Sequence, residues 1–118
     1  MDVKPIYVTV VGSKYFFGPE VFKVGQKVKL IKDYDNPYDD EAIKVVLDPI
    51  GTVGYVANST HTVAKGTRSA GRIYDTFEEY CYGRVIFVVK GDVIVELLGE
   101  EAATLGKEIY FSYKFQSW

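Results

Sequence analysis

Tyr34-Asp35-Asn36-Pro37-Tyr38-Asp39-Asp40-Glu41-Ala42-Ile43-Lys44-Val45-Val46 ends one extended run and opens the next. Before it, Lys27-Val28-Lys29-Leu30-Ile31-Lys32 alternates polar and apolar residues with the two-residue period of a half-buried strand. Asn36-Pro37 is a turn signal, because proline fixes its own φ and biases the preceding residue towards extended backbone. From Ala42 to Leu47 the β pattern resumes. The stretch therefore reads as two strands joined by a turn that carries two tyrosines and four carboxylates. Such a turn serves either as a structural corner or as a recognition surface.

Outward from this turn the chain stays β-rich. Ile6-Tyr7-Val8-Thr9-Val10-Val11 is a first strand, and Gly12-Ser13-Lys14-Tyr15-Phe16-Phe17-Gly18-Pro19 a loop bounded by glycines. Side chains of an extended chain alternate between faces, so Tyr15, Phe16 and Phe17 cannot all enter one core and at least one is partly exposed. Asp48-Pro49-Ile50-Gly51 is a turn before a short strand over 52–56. Strands over 82–89 and 93–98 are joined by the hairpin signal Lys90-Gly91-Asp92. Residues 100–105 suit a helical turn, and Ile109, Phe111, Tyr113 and Phe115 share one face of a last strand.

Residues 58–72 break the alternation. Asn58 or Ser59 can cap a helix whose inward stripe is Val63, Thr67 and Ala70. Lys65, Arg68 and Arg72 would then share a different face of that helix. The expected fold class is mainly β: a small β-barrel, OB-like or SH3-like, with one or two short helices.

At 118 residues the chain is expected to form one domain over 1–118. No apolar run approaches the ~20 residues that span a bilayer. The N-terminus lacks the apolar core of a signal peptide, and Cys81 has no second cysteine to pair with. A reducing cytoplasm is the expected compartment. The net charge of −2 and pI near 5.4 argue against a general nucleic-acid coating protein. That charge is uneven, however. Residues 1–30 carry five lysines against two acids, 31–48 two lysines against six acids, and 49–74 three basic residues against none. Two basic segments thus flank the acidic turn, which allows a local positive site.

Catalytic machinery is hard to assemble. His61 and Cys81 are single, and no phosphate loop, HExxH or Cys/His ligand spacing is present. Asp35, Asp39, Asp40 and Glu41 lack the EF-hand spacing and glycine, so a solvated turn is favoured over a metal site or a metal-dependent nuclease. The aromatic loop and the proline turn make a better case. Lys14, Tyr15 and Phe16, set beside Asn36, Tyr38 and Asp39, offer flat rings and a cation, as single-stranded nucleic acid requires. Residue types alone leave this reading level with a tyrosine corner that braces the barrel.

The order of Val11-Gly12-Ser13-Lys14-Tyr15-Phe16-Phe17-Gly18, Leu30-Ile31-Lys32-Asp33, Asn36-Pro37-Tyr38-Asp39, Ala42-Ile43-Lys44-Val45 and Val53-Gly54-Tyr55-Val56 resembles the HIRAN domain family over about residues 5–75. The resemblance implies an OB-like barrel that, in fork-remodelling ATPases, grips the 3′ end of single-stranded DNA. It would place Lys14 on a phosphate and Tyr15 and Tyr38 around the terminal base. Asp39 would accept a hydrogen bond from the 3′-hydroxyl.

This chain departs from the DNA-gripping members in four places. Lys14 stands for an arginine, Asp35 for an asparagine, Tyr55 for a histidine, and Asn58 falls near an expected lysine. Weaker affinity or a different ligand follows from these changes; a solvated helix face is the favoured role for Lys65, Arg68 and Arg72, with restoring the lost charge as the alternative. The expectation is a non-catalytic binder of single-stranded DNA ends, with no cofactor, no metal and no membrane. The alternative is a protein-interaction module that self-associates through the aromatic C-terminal strand.

Overall fold

A computed structural model of the chain describes residues 4–98. Six strands form it: β1 (Tyr7–Val11), β2 (Lys27–Lys32), β3 (Ile43–Leu47), β4 (Gly51–Val56), β5 (Tyr80–Val89) and β6 (Asp92–Leu98). They close a barrel in the order β1-β4-β3-β2-β5-β6, with every pairing antiparallel and β6 returning to β1. Closure leaves none of the six strands with an unpaired edge.

The two-residue period decides which side chains point inward. Val28 and Leu30 of β2, and Ile43, Val45 and Leu47 of β3, face the interior, while Lys27, Lys29 and Lys44 between them face out. Val8, Val10, Val53, Val85, Val93 and Val95 complete a core of small β-branched residues. These suit the narrow lumen of a six-stranded barrel. Phe22, Ala70, Ile73 and Phe77 extend the same cluster from the connecting segments. Cys81 lies within it as a small apolar group, 2% exposed.

Residues 58–72 do not form the expected helix. The single α-helix among the described residues, α1, is one turn over Ala70–Ile73, and Ser69 caps it by accepting the Arg72 N–H. Upstream, the 59–63 turn closes on the Ser59 carbonyl. The backbone then reverses at Gly66, whose φ of +91° no helix accommodates. From there the segment is tied to β1. The Arg68 N–H donates to the Tyr7 carbonyl at 2.8 Å, and the Thr67 and Thr9 hydroxyls meet at 2.8 Å. Sheet contacts therefore overrode the helical spacing, and Lys65 shares no helix face with Arg68 and Arg72. The expected 100–105 turn and 109–115 strand, and with them the self-association surface, lie outside the described residues.

Candidate nucleic-acid interface

The aromatic loop follows β1 as two successive 3₁₀ turns, Ser13–Tyr15 and Pro19–Val21. The Tyr15 and Phe16 N–H groups bond back to the Gly12 and Ser13 carbonyls, so the tip is tight and its side chains splay. Tyr15, Phe16 and Phe17 are 76%, 40% and 55% exposed, and all three aromatics fail to enter the core. Lys14 Nζ lies 5.1 Å from the centre of the Tyr15 ring, within cation–π range.

The proline turn is built by its own side chains. Asn36 Oδ1 accepts the N–H groups of Tyr38 and Asp39, at 2.9 and 3.0 Å. Asp33 Oδ1 accepts the Asp35 N–H, and Asp39 Oδ1 accepts the Glu41 N–H. Asparagine and aspartate commonly bond the backbone just ahead of them in this way, which fixes the turn without sheet pairing. Tyr38 projects from the tip at 94% exposure. It braces nothing, so the tyrosine-corner reading fails for this residue.

The bracing tyrosine is Tyr55. Its ring lies 6.1 Å from that of Phe16, and its hydroxyl donates to Asp33 Oδ2 at 2.6 Å. One β4 side chain thus joins the aromatic loop to the proline turn. The accepting carboxylate of Asp33 raises the Tyr55 pKa above the usual 10.0; burial and the Asp33 charge add to this, and Asn36 opposes it. The folded chain then holds a proton that the unfolded chain releases near pH 10. This stabilisation is complete below pH 10 and is lost as pH rises through the folded pKa. Tyr55→Phe should cost about 1 kcal/mol at neutral pH. It should also flatten the fall in stability above pH 10, as read from urea unfolding. Parallel pH profiles for the two proteins would refute the assignment.

A second junction joins the turn to α1. Asn58 Nδ2 donates to Asp39 Oδ2 at 2.9 Å, and Asn58 Oδ1 accepts the Gly71 N–H at 2.8 Å. Gly71 lies close against this junction: an added Cβ would sit 2.6 Å from Glu41 Oε1, which would have to swing aside, and 3.3 Å from Asn58 Oδ1. Beside this junction lies Tyr74, half-buried, its pKa raised first by burial and then by Tyr34, Glu41, Asp75 and Asp39. Lys32 Nζ caps the Tyr74 ring at 4.3 Å and donates to the Phe77 carbonyl at 2.8 Å. Sequence reasoning missed Asp33, Lys32 and Tyr74, because their roles arise from contacts between segments far apart in the chain.

Phe16, Asn36 and Tyr55 therefore form one cluster, and Asp39 and Asn58 another along the same turn. Lys14, Tyr15 and Tyr38 stand exposed above them, and the Tyr15 and Tyr38 rings make no ring contact with each other. Arg68 lines a cleft with Asn58, whereas Lys65 lines a separate apolar groove with Tyr7 and Phe87. Among the described residues, no group of three or more His, Cys, Asp or Glu side chains is placed to hold a metal ion. None of the described helices is long and apolar enough to cross a membrane.

Two solved structures resemble the chain. A crystal structure of the HIRAN domain of human HLTF is 25% identical, covering 82% of this chain and 77% of its own length, with a TM-score of 0.55. A Lactobacillus plantarum protein of a structural-genomics programme is 24% identical, covering 80% of this chain and 93% of its own, also at 0.55. The latter likeness shows the fold. No curated protein matches the sequence. A HIRAN domain family model matches residues 3–85, reaching ten residues past the stretch that carries the motif resemblance and into β5. The match implies a nucleic-acid-binding domain. With a closed antiparallel barrel and a motif order that agree with it, the chain belongs to the HIRAN domain family.

Proposed function

We propose that the chain binds the 3′-hydroxyl end of single-stranded DNA at the surface shared by the aromatic loop and the proline turn. The observation that carries this reading is the exposure of Tyr38. Its ring is 94% open, on a turn whose backbone is fixed by Asn36 and whose far side is joined to the barrel through Asp39 and Asn58. An open ring carried on a fixed backbone is suited to serve as a stacking platform. Tyr15, on the neighbouring loop, supplies a second, with Lys14 above it for phosphate.

Asp39 reads the end. Each of its carboxylate oxygens accepts one protein donor, and a carboxylate oxygen has room for a second. A 3′-hydroxyl can donate there, whereas a 3′-phosphate brings like charge against it. In a fluorescence titration, a short oligonucleotide ending in 3′-OH should bind at least ~10-fold more tightly than the same strand ending in 3′-phosphate, the size of one hydrogen bond to a charged group. Equal binding, or none, would sink the end-recognition reading.

A further inference from the structure

The end site as described is poor in positive charge for a polyanion. Asp33, Asp35, Asp39, Asp40 and Glu41 crowd the turn, against Lys14 on one loop and a Lys32 already committed to Phe77 and Tyr74. The compensating charge lies across Asn58. There a cleft of about 390 Å³ is lined by Arg68 and Arg72 with Thr60, Thr67 and Ser69, and Asn58 forms its wall towards the turn. No carboxylate among the described residues lines it. Among the described residues neither guanidinium is engaged in an ion pair, and both side chains are exposed.

The backbone that carries the two arginines is fixed. The Arg68 N–H is held by Tyr7, and Thr67 is held by Thr9 and by the Ala64 carbonyl at 2.7 Å. The Ala70 N–H donates to the Ala57 carbonyl at 2.9 Å, and Ala70 and Ile73 on either side of Arg72 are fully buried. The bases of both side chains are thereby positioned before any ligand arrives, which lowers the ordering cost of binding. A guanidinium presents a planar fork that matches two phosphate oxygens, and a lysine does not.

We infer that this cleft is a phosphate subsite, taking an internucleotide phosphate of the strand whose 3′ end sits at Tyr15 and Tyr38. The inference rests on the end-binding reading for the identity of its ligand, though not for its affinity for phosphate. Asn58 couples the two places, since it bonds the hydroxyl reader Asp39 on one side and borders the arginines on the other. The strand would run from the arginine cleft, past Asn58, to the tyrosines. The Lys14 and arginine charges then flank the acidic turn instead of overlying it.

Two measurements test this. In the first, NMR spectra of the wild-type protein are followed as inorganic phosphate replaces chloride at constant ionic strength. Shifts in the Arg68 and Arg72 side-chain N–H signals are expected, with Tyr15 and Tyr38 unmoved. In the second, binding of a 3′-OH hexanucleotide is measured between 50 and 200 mM NaCl for wild type and for Arg68→Gln/Arg72→Gln. Each phosphate neutralised on a single strand contributes about 0.7 to the slope of log K against log salt, so the double variant, which gives up the one phosphate of the cleft, should lose about 0.7 of it. It should keep its preference for 3′-OH over 3′-phosphate. Should it fold poorly, either single variant should lose about half as much. An unchanged slope with that preference intact would overturn the cleft and leave the end reading standing. Phosphate-induced shifts without oligonucleotide binding would instead overturn the end reading and leave an anion site. No phosphate shifts together with an unchanged slope would refute the inference outright.

Discussion

Tyr38→Ala should weaken binding of a 3′-OH oligonucleotide roughly 5- to 150-fold, the range that follows from ~1–3 kcal/mol per stacked base. Its thermal unfolding midpoint should not change, because a ring 94% exposed buries almost nothing on folding. Tyr38→Phe should bind as wild type does, since stacking uses the face of the ring and, among the described residues, the hydroxyl makes no hydrogen bond. Tyr15→Ala should show a loss of similar size with a second signature. Lys14 rests over that ring at 5.1 Å, so removing the ring also releases the lysine and alters the salt dependence. If both alanine variants bound at wild-type strength, the two rings would have no role in recognition.

Reading the sequence reached the barrel and the exposed proline turn, and failed at the joints between segments. Alternation in Lys27-Val28-Lys29-Leu30 was enough to orient β2, because a strand with one buried face must repeat every two residues. Asn36-Pro37 announced the turn that carries Tyr38 for an equally local reason. The 58–72 segment misled because Val63, Thr67 and Ala70 have helical spacing, while the forces that decide its path come from Tyr7 and Thr9, more than fifty residues away. Gly66 and the threonines of the segment were the local signs against a helix. Asn58, picked out where a basic residue was expected, is instead the acceptor and donor that joins Asp39 to Gly71. Tyr55, read as a replaced ligand contact, ties the two loops together through Phe16 and Asp33. Such joints carry no periodic signature. The choice between corner and contact surface therefore becomes a division of labour under the proposed function: Asn36 and Tyr55 hold the corner, Tyr38 would meet the ligand, and Asp39 would do both.

Asp39 is the residue where these two jobs overlap, and its substitution separates them. Three donors are served in series: the Glu41 N–H by Asp39 Oδ1, Asn58 Nδ2 by Asp39 Oδ2, and the Gly71 N–H by Asn58 Oδ1. In Asp39→Asn one acceptor oxygen becomes a donating NH₂. If the new amide serves Glu41, its NH₂ faces that of Asn58; if Asn58 turns over, the Gly71 N–H loses its acceptor instead. One donor is stranded either way, at a cost of about 1 kcal/mol for a half-exposed group. The variant should also lose its preference for 3′-OH over 3′-phosphate, a change of ~10-fold or more in the ratio of the two affinities. Exchanging the pair as Asp39→Asn/Asn58→Asp supplies the discriminating case. There the amide at position 39 accepts from Glu41 and donates to the carboxylate at position 58. That carboxylate in turn accepts from Gly71, so every donor regains a partner with the charge moved along the junction. Stability by urea unfolding should return to the wild-type value, while the end preference should not, because the carboxylate no longer sits on the turn beside Tyr38. Recovery of both together would mean that the carboxylate only holds the turn, and that some other group selects the 3′ end.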